Sequence, residues 1–354
     1  MLYSIDEICL RPAPVSSIKH RSDVIIYNTH NKLPLFSAPM ACVIDDVSAP
    51  KFEQAGINTI IPRNINWEDR YLALVDGMWV AVGFNEAQYI LDMCEFEHTP
   101  KIHLCIDQAN GHMKMLLNLC KKLKTKFGDK ISIMTGNIAN PKVYQEYAYV
   151  GIDYIRVGIG GGSVCTTSVQ TGMHYPMGSL IIDCNKERNK LKHDIAFGAK
   201  PLSIPKIIAD GGFKRIDQCV KALALGADYV MLGEVLAKSR EACGKSFFMD
   251  NDGCKFDSEF YHETHREYFG MSTEKAQILV NDAARTPIDN YTPKHSEGQI
   301  RYVPIEYSIQ DWVNDFEHAL RSSMSYAGAR TLKDFVGEVD YEYMTPVTYN
   351  AYMK

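Results

Sequence analysis

The chain has 354 residues, 46% of them apolar and 23% charged, with a net charge of -5. That length and apolar content suit one large barrel or two ordinary globular units with a full core. The acidic balance, without a concentrated basic stretch, argues against a nucleic-acid partner, and no apolar run is long enough to cross a bilayer.

The first residues, Met1-Leu-Tyr-Ser-Ile-Asp-Glu7, lack the basic and apolar segments of a secretory leader. The ten cysteines are scattered, with no CxxC pair. This disfavours structural zinc and a disulfide framework, and it points to a reducing, cytoplasmic setting. Short, nearly continuous apolar runs then recur at 34–40, 58–61, 78–83, 102–107, 131–136, 154–158, 206–210 and 229–233. Runs of this kind read as strands buried on both faces. Helical spacing of apolar residues between them is clearest at 109–127 and 216–225. Eight strand–helix units predict an α/β fold, a (β/α)8 TIM barrel, as a single domain over 1–354.

Two connections are oversized. One runs from 158 to about 205, between strands six and seven; the other, about 234–307, follows strand eight. The second opens with a hairpin pattern at 245–256, in which Asn251-Asp-Gly253 is the turn signal. A helix within 303–330 closes the ring, and a Tyr-rich tail, 338–354, follows. Long loops in compact domains usually cover active sites, and barrel enzymes work at the C-terminal ends of their strands. Both long connections belong to that end, and 234–307 is expected to be an active-site flap.

The most informative segment is Gly158-Ile-Gly-Gly-Gly-Ser-Val-Cys-Thr-Thr167, which follows strand six directly. Its glycines allow a tight, anion-binding turn, and it ends on one thiol and two hydroxyls. Cys165 is therefore a candidate nucleophile, because a thiolate adds to an electron-poor carbon and a neighbouring hydroxyl can relay a proton. The other cysteines read as small buried hydrophobes. Paired glycine turns also follow strand seven (Asp210-Gly-Gly212) and strand eight (Gly233), where barrels commonly hold a phosphate through backbone N–H groups. Tight βα turns need glycine in any case, but both loops occur where phosphate binding requires them. Asp210 could bind ribose hydroxyls or cap its turn. Asp107 and Arg63, at the ends of strands four and two, face the same rim or serve as ordinary caps. Glu297, in Lys294-His-Ser-Glu-Gly298, is a flap carboxylate of a kind that is usually only solvated. The eleven histidines show no ligand spacing for a transition metal.

These residues resemble a known family. Gly160-Gly-Gly-Ser-Val-Cys-Thr-Thr167 with Thr171-Gly-Met-His-Tyr-Pro176 is similar to the catalytic loop of the IMP dehydrogenase and GMP reductase family. Ile208-Ala-Asp-Gly-Gly212, 222–233, Phe269-Gly-Met-Ser-Thr273, Ser296-Glu-Gly298 and 323–329 continue the likeness in the family's order over nearly the whole chain. Within the family the likeness is greatest to the reductases. There is no regulatory insertion early in the barrel, and the flap has Arg285-Thr286 where a dehydrogenase would carry an Arg-Tyr pair.

The resemblance implies NADPH-dependent reductive deamination of GMP to IMP through a covalent bond from Cys165 to purine C2, with NADH as the other possible donor. Thr167 and Glu297 would supply the proton for departing ammonia. Ser163, Gly211, Gly212, Gly233 and Glu234 would surround the phosphate, and Asp210 the ribose. Gly270, Met271 and Ser272 would contact the base, and Lys294, Ser296 and Gly298 would also bind the substrate. Arg63, Asp107, Gln108 and Ala109 would face the cofactor. The carbonyls of Gly160, Gly162 and Cys165 would hold a monovalent cation such as K+, and the protein would form a homotetramer. A dehydrogenase lacking regulatory domains, or a catalytically silent nucleotide-binding barrel, are the alternatives. The resemblance also shows departures near the ligand: Gly161 stands where the family has proline, Ser168 where it has arginine, Glu234 where it has a small residue, and Lys294 where reductases have arginine.

Overall fold

Eight short parallel strands close into one ring in the computed structural model, which describes residues 1–250, 253, 255–256 and 262–352. They are β1 Leu35–Ser37, β2 Ile60–Ile61, β3 Trp79–Val82, β4 Ile102–Asp107, β5 Ile131–Ile138, β6 Tyr154–Val157, β7 Lys206–Asp210 and β8 Tyr229–Leu232. From β2 onward each pairs with its neighbour in sequence, and β8 pairs with β1. The seam between β1 and β2 is closed by a bridge from Phe36 to Asn58, with Ser37 N–H donating to the Asn58 carbonyl at 2.9 Å. This is the (β/α)8 barrel that the apolar runs predict.

The continuous apolar character of the strands has a direct cause. Alternate side chains enter two different cores. Val80, Val82, Leu104, Ile106, Ile133, Ile155, Val157 and Val230 point outward against the helices. Phe36, Ile60, Ala81, Cys105, Met134, Ile208, Tyr229 and Met231 fill the ring. At the N-terminal ends of the strands the filling is aromatic. Phe36 lies 5.9 Å from Trp79, 6.2 Å from Tyr154 and 5.0 Å from Tyr229 between ring centroids. The opposite end is polar and open.

The outer layer comprises α1 Ala49–Gln54, α2 Trp67–Val75, α3 Phe84–Met93, α4 Lys114–Phe127, α5 Val143–Tyr149, α6 Thr167–Thr171, α7 Met177–Ala196, α8 Ile216–Leu225, α9 Glu234–Ala237, α10 Glu274–Asp282 and α11 Ile309–Ala327. α11 buries Trp312, Val313, Phe316, Leu320 and Met324 along one face, packs on α8, and completes the layer. The helix predicted over 109–127 starts only at Lys114. Residues 108–111 pair instead with the end of β5: Asn137 N–H donates to the Gln108 carbonyl at 2.7 Å, and Gly111 N–H to the Asn137 carbonyl at 2.8 Å.

The flap carries its own antiparallel sheet, β9 Ser246–Met249, β10 Lys255–Phe256, β11 His265–Phe269 and β12 Ile300–Pro304, in the order β10-β9-β11-β12. The predicted hairpin is seen in its strands, where Phe248 faces Phe256. Asn251 and Asp252 of its turn lie outside the described residues.

Candidate active site

The strand ends carry a charge network set inside the ring. Arg156, buried on β6, donates from Nε and Nη2 to Asp210 Oδ2 at 3.0 and 2.9 Å, and from Nη1 to Asp107 Oδ1 at 2.6 Å. Asn137 Nδ2 donates to the same Asp210 oxygen at 2.7 Å. Burial alone would weaken the guanidinium's hold on its proton, but the fields of Asp210 and Asp107 more than offset this, so the arginine stays charged. One oxygen of Asp210 is thus fully occupied, and the carboxylate has a single orientation at the cavity wall.

β6 then passes into the glycine-rich loop. At Gly158 (φ 137°) an added Cβ would lie 2.1 Å from the Asp210 carbonyl, so no side chain fits between the ends of β6 and β7. Gly212 (φ 87°) presses equally on the loop, with an added Cβ 2.7 Å from the Gly161 carbonyl. The loop delivers Cys165, half-buried, into a cavity of about 1390 Å³ at the C-terminal end of the barrel.

Glu297 arrives from the flap. Thr166 N–H donates to the Glu297 carbonyl at 2.8 Å and Gln299 N–H to the Val164 carbonyl at 2.9 Å, so residues 297–299 pair with the loop and set Cys165 opposite Gly298. The side chains fall into a line. Cys165 Sγ donates to Thr167 Oγ1 at 3.3 Å, and Thr167 Oγ1 donates to Glu297 Oε2 at 2.5 Å. A thiol proton therefore has a two-step path to a carboxylate, and the reverse path can return it. Burial pushes the thiols of Cys42, Cys105 and Cys120 up to about 12, which keeps these structural cysteines protonated and inert.

The glycine-turn end of the cavity is lined by Ser163, Gly211, Gly212, Gly233, Glu234 and Tyr268. Burial, above all, raises the Tyr268 phenol, which keeps it protonated and able to donate beside Ser163. The other arm is lined by Arg63, Gly83, Tyr89, Asp107, Gln108 and Ala109. Among the described residues the Nε of Arg63 is buried without a partner, and its guanidinium packs against Gly83, where an added Cβ would lie 2.6 Å from Nη2.

Two findings place this site among known proteins. A family model described as IMP dehydrogenase / GMP reductase domain matches residues 81–351. The GMP reductase of Photobacterium profundum is 29% identical over 91% of this chain and 86% of its own length. The GMP reductase of Aliivibrio fischeri is 30% identical over 85% and 80%. The chain belongs to the IMP dehydrogenase/GMP reductase family. Membership makes it an oxidoreductase. The GMP reductase of Vibrio parahaemolyticus is 34% identical over a shorter stretch, 66% of this chain and 58% of that protein.

Seen as a family site, the cavity gathers nearly all the residues singled out in the sequence. Cys165, Thr167, Glu297, Ser163, Asp210, Gly211, Gly212, Gly233, Glu234, Gly270, Met271, Ser272 and Lys294 line it, as do Arg63, Asp107, Gln108, Ala109, Gly160 and Gly162. Ser296 and Gly298 stand behind the wall. The Ser296 hydroxyl donates to the Gly298 carbonyl at 3.0 Å, and the Ser296 carbonyl accepts from Gln170 Nε2 at 3.2 Å, which braces the segment that carries Glu297. Sequence reasoning missed Arg156, Asn137 and Tyr268. The signal for Arg156 was present: a charged residue inside a barrel strand needs partners, and aspartates close strands four and seven.

Among the described residues no helix is long and apolar enough to cross a membrane, and no group of three acidic, histidine or cysteine side chains is arranged to hold a metal.

Proposed function

We propose that this chain reduces GMP to IMP and ammonia, using NADPH, with Cys165 as covalent nucleophile. The observation that carries this reading is the relay Cys165–Thr167–Glu297, set at one wall of a cavity whose far end is built from glycine turns. Binding the nucleotide phosphate at Ser163, Gly211, Gly212 and Gly233 and the ribose at Asp210 holds the purine toward the thiol. Gly270, Met271 and Ser272 then face the base.

The chemistry follows the hydrogen bonds. The thiol proton passes through Thr167 to Glu297 as sulfur bonds to C2 of guanine. Glu297 returns a proton through Thr167 to the amino group, and ammonia leaves because C2 has become tetrahedral. A bound reduced nicotinamide supplies the hydride that C2 then accepts. Expulsion of the Cys165 thiolate releases IMP. The balance is GMP, NADPH and two protons giving IMP, NADP+ and ammonium.

Arg63, Asp107, Gln108 and Ala109 would hold the donor, and the unpartnered Nε of Arg63 suits an anionic or carbonyl group there. A monovalent cation would rest on the carbonyls of Gly160, Gly162 and Cys165. The Gly162 carbonyl already accepts Cys165 N–H at 3.0 Å, but a carbonyl has a second lone pair to offer. The proposal extends to one catalytic unit over the whole chain, a cytoplasmic setting and a homotetramer, the last checked by light scattering of the purified protein.

The decisive experiment follows absorbance near 340 nm, the nicotinamide band. GMP with NADPH should lose absorbance. IMP with NAD+ should show no gain, since the flap has Arg285-Thr286 in place of an Arg-Tyr pair. The opposite pattern would make the protein a dehydrogenase, and silence in both with GMP still bound would make it a nucleotide-binding barrel.

A further inference from the structure

Beyond the reacting centre, the cavity edge carries a second arginine, Arg285, that no carboxylate pairs among the described residues. Arg285 follows α10 and lies with its guanidinium carbon 3.5 Å from the centroid of the Tyr89 ring on α3. Stacking fixes the plane of the group and leaves its edge donors free. Among the described residues its one hydrogen bond is a long contact to Thr286 Oγ1 at 3.5 Å, and no carboxylate pairs with it. Arg156 differs in both respects, since carboxylates occupy its two ends.

The position of Arg285 is built. Arg70, buried, grips Glu86 at the start of α3 through two hydrogen bonds of 2.6 and 3.0 Å, and its Nη2 also reaches the Ala283 carbonyl at 3.3 Å. The end of α10 is thereby tied to the first turn of α3. Arg63 faces the same turn at Gly83, and its buried Nε has no partner. Arg285 and Thr286 line both the main cavity and an adjoining hollow of about 490 Å³ beside Tyr71 and Leu72. Two arginines with unused donors thus stand along one path, from the nucleophile's cavity outward to its edge.

We propose that Arg285 is a cofactor-binding residue that takes a phosphate of the dinucleotide hydride donor. This rests on the reductase reading for the identity of the donor. A planar guanidinium already stacked on a ring meets a phosphate with two parallel N–H donors and loses little freedom in doing so. Two phosphate sources exist on such a donor: the pyrophosphate common to NADH and NADPH, and the 2′-phosphate of NADPH alone.

The test is calorimetric titration of NADP+ and of NAD+ into the full-length protein and into Arg285→Ala and Arg285→Lys. Loss of a charge-assisted, two-point contact should weaken binding by about tenfold or more in the alanine variant. A loss confined to NADP+ assigns the 2′-phosphate, and equal losses for both assign the pyrophosphate; either supports the proposal. Arg285→Lys should recover only part of the affinity, because an ammonium cannot make the two-point contact. Unchanged affinity for both dinucleotides in an alanine variant with wild-type melting overturns the proposal and leaves the reductase reading standing. Wild-type protein that binds neither dinucleotide overturns both.

Discussion

The two halves of the site are held in different ways. The barrel half, Asp107, Arg156, Asp210 and Asn137, is locked by short charged hydrogen bonds between adjacent strands. The flap half, Glu297, is carried on a segment that touches the glycine-rich loop and α6 through a few backbone and side-chain hydrogen bonds. On the proposed reading, breaking the first half would cost folding energy and breaking the second would cost turnover. The barrel half is held by its own strands, whereas Thr167 has its carboxylate partner only by way of the flap.

Variants can break that contrast or sharpen it. Cys165→Ala, where the two halves meet, should bind GMP with near-wild-type affinity by calorimetry yet turn over at least about ten-thousandfold more slowly. Full activity in that variant would remove the covalent mechanism. Arg156→Met leaves two half-buried carboxylates without their shared cation, and thermal or urea unfolding should show a loss of about 3 kcal/mol. If its stability were unchanged, the barrel half would not be the rigid one. Glu297→Gln should lower kcat by about a hundred- to a thousandfold while melting and GMP affinity stay as in the wild type. A variant that instead melted early would place Glu297 in the folding core.

Glu234→Gln tests a smaller effect at the glycine turns. Removing a carboxylate beside an incoming phosphate should raise GMP affinity severalfold, by about 1 kcal/mol, and the gain should shrink as salt is added. An unchanged affinity would mean that the Glu234 side chain points away from the ligand. The smallest effect lies at the far end of the barrel. Burial, followed by the charge of Lys101, lowers His103 from 6.5 to about 4. The unfolded chain then binds a proton that the folded one refuses, so stability is full above about pH 6.5 and is lost as pH falls toward about 4. His103→Gln should flatten the melting temperature across that window and leave kcat untouched. A profile identical to wild type would exclude the ring as a contributor.

How much of this was readable in the sequence varies with the kind of constraint. The strands were legible because residues such as Val80 and Ala81 both meet apolar surroundings, one outside the ring and one inside, so the run has no polar break. The candidate nucleophile Cys165 was legible because glycines, a thiol and hydroxyls are adjacent in the chain. The start of α4 was not, because Gln108 and Gly111 are withdrawn from the helix by hydrogen bonds to β5, a partner distant in sequence. Arg156 was absorbed into an apolar run, since its partners lie 49 and 54 residues away along the chain. The flap sheet was largely invisible for a similar reason: β12 pairs with β11 across the whole of α10, and nothing local to β12 announces that partner.

The aromatic packing at the lower end of the ring has a consequence for traffic. With Phe36, Trp79, Tyr154 and Tyr229 in mutual contact there, the barrel offers no rear exit through its axis. On the proposed reductase reading, nucleotide, hydride donor and released ammonia would share the opening beneath the flap. A compound that wedges in that opening would imprison product as well as exclude substrate, so its inhibition would deepen with each turnover already begun.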